Sequence, residues 1–127
     1  MTEKPLTILA VEDEALIAME LEDLLQDFGY RVAGPASTVS AALALLQGCH
    51  PDAAVVDANL AGESAWPIVE ALEKAGIPMV VASGYELSEL PFAFNGPLVS
   101  KPYRARNVGD ALSVALDASS RDRPPSE

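Results

Sequence analysis

The stretch PDAAVVDANL, residues 51 to 60, carries an unbroken apolar run from Ala53 to Val56 straight into the carboxylate of Asp57. A run this short and this apolar fits a strand buried on both faces of a parallel sheet. An acid at its end is costly to bury without partners, so it is either a turn former or a working group. Taken alone, Asp57 is better read as a turn former, and only its surroundings can reverse that.

Comparable runs lie on either side. LTILAV (6 to 11), IPMVVAS (77 to 83) and PLVS (97 to 100) are almost wholly apolar, and YRVAG (30 to 34) alternates as a strand does. Between them the period changes to that of a helix. EALIAMELEDLLQDFG places Ile17, Leu21, Leu24 and Phe28 on one stripe and stops at Gly29. After Pro35, Ser37 or Thr38 can cap a helix with the stripe Val39, Ala42, Leu43 and Leu46, closed by Gly48. A third helix runs from Ser64 through Ile68, Val69 and Leu72 to Gly76, after a plain loop through Gly62. GYELSELPFAFNG (84 to 96) is expected to be a short, mobile helical segment broken by Pro91. ARNVGDALSVALDA (105 to 118) closes the chain with Val108, Leu112 and Leu116 inward, weakened by Gly109. Five strands alternating with five helical segments imply a doubly wound α/β sheet with right-handed crossovers, whose ligands sit at the strand C-terminal ends. The domain is expected over residues 1 to 119, and SSRDRPPSE makes 120 to 127 a flexible tail or linker stub.

Composition narrows the function. The 127 residues are 50% hydrophobic with a mean hydropathy of +0.19, enough for one compact domain. The 19 acids against 8 bases give a formal charge of -11, which repels phosphate backbones and anionic membranes and argues against nucleic-acid binding. Cys49 is the single cysteine, so no intrachain disulfide is expected, and it reads as a small apolar filler. The first residues lack the h-region and cleavage site of a signal peptide, and no run approaches the ~20 apolar residues of a membrane span. A cytoplasmic location is expected.

The strand ends carry the chemistry. They present Glu12 and Asp13, Asp57, Ser83, and Ser100 with Lys101. Carboxylates this close raise one another's pKa unless a cation is present, and hard oxygen ligands suit Mg²⁺. Cys49 and His50 lie at the other end of the sheet without ligand spacing. A carboxylate beside such a metal, with Lys101 opposite, is arranged to accept a phosphoryl group, and Ser83 can donate a hydrogen bond to the product. Three convergent partners thus turn Asp57 from turn former to working group. Glu14 reads as a first-turn acid favouring the helix dipole, and His50 as an exposed loop residue. Trp66 is expected at the start of the third helix, near the site.

VEDE after the first strand, VVDANLAGESA at the third, VVASGY at the fourth and VSKPY at the fifth together resemble the receiver domain of two-component response regulators (CheY-like), over essentially the whole chain. The resemblance implies a flavodoxin-like (βα)5 fold with sheet order 2-1-3-4-5. It implies Asp57 as phosphoacceptor and Asp13, Asp57 and the Asn59 backbone carbonyl as Mg²⁺ ligands, with Glu12 acting on the metal through water. It implies Ser83 as switch hydroxyl, Lys101 as phosphate-binding lysine and a cis peptide before Pro102. The phosphoryl donor would be a sensor histidine kinase or a histidine phosphotransfer protein, and the output a changed protein-binding surface on a monomer or weak homodimer.

Three departures stand out. Leu98 occupies the position of the family's switch aromatic, leaving Tyr85 and Tyr103 as candidates to carry the rearrangement. Ala61 replaces the usual proline after the phosphoacceptor. ASGY with KPY resembles the FATGUY-type subgroup, often single-domain and tied to stress signalling in alphaproteobacteria, with Val81 and Ser83 in place of its Phe and Thr.

Other readings make different demands. An aspartate-nucleophile phosphatase of haloacid dehalogenase type resembles D-x-D on the first strand, whereas Asp57-Ala58-Asn59 lies on the third; sustained phosphomonoester hydrolysis would favour it. A flavodoxin-like cofactor binder would be coloured, and no Gly-rich phosphate loop is present. A degenerate, phosphate-independent receiver would act only as an interaction module.

Overall fold

The computed structural model describes residues 5 to 83, 92, 94 and 96 to 122, without the side chains of 119 to 122. The expected alternation is present: β1 (Thr7–Val11), α1 (Ala15–Asp27), β2 (Arg31–Ala36), α2 (Val39–Cys49) and β3 (Ala53–Asp57), then a small hairpin, β4 (Asn59–Leu60) and β5 (Glu63–Ser64). α3 (Trp66–Ala75), β6 (Met79–Ser83), β7 (Leu98–Ser100) and α4 (Ala105–Asp122) complete it. The five long-range strands form one parallel sheet in the order β2-β1-β3-β6-β7, the flavodoxin-like order 2-1-3-4-5. The segment expected as a fourth, short and mobile helix falls largely outside the described residues, and Tyr85 with it.

Strand alternation explains why these runs are apolar throughout. Successive side chains point to opposite faces, so Leu9, Val11, Ala54, Val56, Met79 and Val81 pack on one side with α2 and α3. Ile8, Ala10, Ala53, Val55, Val80 and Ala82 pack on the other with Leu21, Leu25, Val108 and Leu112 of α1 and α4. With both faces covered, no polar alternation survives in the three central strands. β2, at the sheet edge, is partly exposed. Gly34 in β2 has φ 92°, and a Cβ there would lie 2.6 Å from the Ala36 nitrogen, so this irregular step in the β1–β2 register requires glycine.

Helix ends follow the chemistry of their caps. Thr38 Oγ1 accepts from the Ala41 N–H at 3.0 Å to start α2, and Gly76, at φ 72°, ends α3.

Four details differ from expectation. The buried face of α1 is Ala18, Leu21 and Leu25, while Phe28 is 46% exposed. The apolar band of α1 is wide enough for two faces, and the sheet takes Leu21 and Leu25; the Phe28 ring, just past the helix end, lies against Gly109, where a Cβ would come within 2.8 Å of it. Gly109 therefore leaves room for the Phe28 ring, besides being a weak helix former. Cys49 is exposed, not an apolar filler, because it is the last residue of α2 before His50 turns left-handed at φ 50°. The loop through Gly62 is the β4–β5 hairpin. α4 continues to Asp122, past position 120 where a tail is expected. Among the described residues, no helix is long and apolar enough to cross a membrane.

Candidate functional site

The register brings the expected strand ends to one level. Val11 pairs with Val56, Asp57 with Ala82, and Ser83 with Ser100. Backbone bonds continue just beyond the strands and fix the following turns: Glu12 N–H donates to Ala36 O, Ala58 N–H to Ala82 O, and Lys101 N–H to Ser83 O, at 2.8 to 2.9 Å. Glu12, Asp57 and Ser83 are the buried polar side chains among the described residues. Carboxylate oxygens of Glu12, Asp13 and Asp57 all lie within 4.8 Å of one another, an arrangement that can hold a metal ion.

Lys101 is the hub. Its Nζ donates to Asp57 Oδ2 at 2.9 Å, to Glu12 Oε2 and Oε1 at 3.1 and 3.3 Å, and to Glu14 Oε1 at 3.3 Å. Glu12 also accepts from the Tyr103 hydroxyl at 3.0 Å and from the Glu14 N–H at 3.2 Å. Asp57 Oδ1 accepts from the Asn59 N–H at 3.2 Å. The Lys101-Pro102 peptide is cis, as is Gly34-Pro35.

The charge balance is uneven, with Glu12, Asp13, Glu14 and Asp57 gathered around one ammonium. Burial is the largest influence on Asp57. With the charge of Glu12 it outweighs the hydrogen bonds from Lys101 and Asn59 and raises the carboxyl from 3.8 to about 7. Burial alone would lower the Lys101 pKa, but hydrogen bonds to Asp57 and Glu12 and the charges of both hold it above its ordinary value. Burial, reinforced by the charges of Glu12 and Asp57, keeps the Tyr103 phenol protonated and therefore a donor. Three carboxylates with oxygens this close make a hard donor set that fits a divalent ion such as Mg²⁺.

Other expected residues fall in several places. Ser83 ends β6 beside Asp57, buried. Ser100 is exposed at the end of β7. Leu98 is half-buried and packs with the α2–α3 side of the core, as do Phe92 and Phe94, while Trp66, 39% exposed, meets Phe92 at a ring separation of 5.6 Å. Asn59 spends its side chain locally, its Oδ1 accepting from the Gly62 N–H at 2.8 Å. Ala61 has φ 53°, a left-handed conformation closed to proline, whose ring fixes φ near −65°. The hairpin after β3 thus accounts for the missing proline.

Glu14 is the residue that reading the sequence undervalued. It is the N-cap of α1, not a first-turn acid, and its side chain turns to Lys101. The available signal was Lys101 itself, a lone cation facing an acidic triplet.

No family model matches the chain. The phyllosphere-induced regulator PhyR of Methylorubrum extorquens is 34% identical over 114 residues, covering 86% of this chain; the chain spans 43% of that protein's length. Among solved structures, SdrG from Sphingomonas melonis is 38% identical with a TM-score of 0.80, the match covering 91% of this chain and 99% of SdrG. The receiver (REC) domain of the response regulator PhyR from Erythrobacter litoralis is 29% identical with a TM-score of 0.81, over 97% of both chains. A likeness that runs nearly end to end in these two structures makes this chain a member of the receiver (CheY-like) domain family of two-component response regulators.

Proposed function

We propose that the chain is a phosphorylation-dependent switch whose phosphoacceptor is Asp57. The observation that carries this reading is the Lys101 ammonium held 2.9 Å from a buried Asp57 carboxylate inside an acidic cluster. A carboxylate oxygen of Asp57 attacks the phosphorus of a phosphohistidine on a sensor histidine kinase or histidine phosphotransfer protein. The P–N bond breaks, its electron pair leaves with the imidazole, and an acyl phosphate forms. Lys101 neutralises charge on the phosphoryl oxygens, and the Ser83 hydroxyl donates to one of them. Asp13, Asp57 and the Asn59 carbonyl would hold Mg²⁺, with Glu12 acting through water. The ion, when bound, supplies charge neutralisation and a template for the phosphoryl oxygens.

The protein catalyses this transfer onto itself and its later reversal by water, with no turnover of an outside substrate. New acceptor oxygens on Asp57 draw on Ser83 and Lys101, and the rearrangement reaches a protein-binding surface formed by the last strands and helices. Leu98 cannot supply a switch aromatic, and with Tyr103 engaged by Glu12, Tyr85 is the candidate for that part. The chain's charge of -11 supports a protein partner over a nucleic acid, and a cytoplasmic monomer or weak homodimer fits this role.

The test is amide NMR with Mg²⁺ and beryllofluoride, a phosphoryl mimic. Shifts are expected around Asp57, Ser83 and Lys101 and out to α4. An unchanged spectrum, or equal shifts in Asp57→Asn, would overturn the reading.

A further inference from the structure

Two carboxylates of the site are engaged very differently. Each ionised carboxylate offers about four lone-pair positions. Glu12 has hydrogen bonds in all of them: Oε1 from Lys101 and Tyr103, Oε2 from Lys101 and the Glu14 N–H. Its side chain is 0% exposed, so bulk solvent does not reach it to replace a lost partner. Among the described residues, Asp57 has one bond to each oxygen, fewer than Glu12.

The Lys101 ammonium is in turn oversubscribed. Its three N–H groups are shared among four oxygens of three carboxylates. A phosphoryl group on Asp57 adds strong acceptors that compete for the same protons, and what Lys101 gives them it withdraws from Glu12. A fully buried carboxylate that loses its partner is costly. Tyr103 can stay with Glu12 through that exchange, because its ring packs against the α1–α4 side of the core while its hydroxyl donates to Glu12.

We infer that Tyr103 is a positioning residue for phosphoryl transfer: its hydroxyl holds the Glu12 carboxylate and thereby frees Lys101 to move from Glu12 to the phosphoryl oxygens. The inference rests on the phosphoacceptor reading of Asp57 and deepens it. Phenylalanine at 103 keeps the packing but removes the donor, so Glu12 keeps its claim on the lysine.

The experiment follows phosphorylation by acetyl phosphate with Mg²⁺, read by intact mass, in wild type, Tyr103→Phe, Glu12→Gln and the double variant. Mg²⁺ affinity is measured separately from the Mg²⁺ dependence of the melting temperature. Tyr103→Phe is expected to slow phosphorylation about tenfold, the scale of one hydrogen bond to a charged group. Mg²⁺ affinity should stay within about twofold of wild type, and the tenfold loss should disappear once Glu12 is Gln. A Tyr103→Phe rate equal to that of a phosphorylated wild type would overturn the inference. The same loss in the Glu12→Gln background would also overturn it, because Tyr103 would then act through packing alone. A wild type that takes no phosphoryl group would overturn the reading beneath the inference and the inference with it.

Discussion

Val56 and Asp57 are adjacent in sequence and both buried, yet they belong to two different regions. Up to Val56 the strands are apolar on both faces, and each side chain has a ready-made place in one of two core clusters. One residue further, the strand ends gather four acids around a single lysine, with Asp57 raised to about 7. The strand bodies supply stability, and the strand ends consume some of it to hold charges where water cannot solvate them. Changes in the two regions should therefore have opposite signatures.

In the strand-body region, Leu112→Ala removes a side chain that is 0% exposed and should cost about 2 to 5 kcal/mol in denaturant unfolding. The folded fraction should still respond to beryllofluoride. At the strand ends, Lys101→Met leaves the buried Glu12 and Asp57 without their common partner and should cost about 3 kcal/mol in metal-free buffer. Mg²⁺ should restore part of that stability while the beryllofluoride response stays lost. If Leu112→Ala silenced the site, or Lys101→Met left it working, the division between the regions would fail.

The pH response sharpens the same division. In metal-free protein Asp57 titrates at about 7, against 3.8 for an unperturbed group. Between those values the folded state holds a proton that the unfolded state has lost, so stability falls as pH rises through the window and levels off above it. Melting temperature against pH should show that decline in wild type and a flatter curve in Asp57→Asn. The smallest effect lies away from both regions. Gly109→Ala should give little net change in wild type, because the Phe28 ring offsets the gain in helix propensity. In a Phe28→Ala background it should stabilise by up to about 1 kcal/mol.

The same contrast governs how much could be read from the sequence. Strands buried on both faces leave unbroken apolar runs, so β1, β3 and β6 were legible, and acids directly after such runs were conspicuous enough to mark Glu12, Asp13 and Asp57. The path of α1 was less legible, since Ile17 with Ala18 and Leu24 with Leu25 support two neighbouring faces, and only packing against the sheet, which takes Leu21 and Leu25, chooses between them. The β4–β5 hairpin was hidden because nothing about alanine announces the left-handed conformation of Ala61. The grip of Glu14 and Tyr103 on the site was also hidden. It depends on how far two side chains reach across 87 and 91 positions of sequence, which no local pattern encodes.

Asp57 is expected to accept a phosphoryl group from a small donor when Mg²⁺ is present. Intact mass spectrometry after incubation with acetyl phosphate and Mg²⁺ tests it most directly. Wild type should gain the mass of a single phosphoryl group, and should lose it again on standing, while Asp57→Asn gains nothing. An unmodified wild type, or a modified Asp57→Asn, would contradict the account.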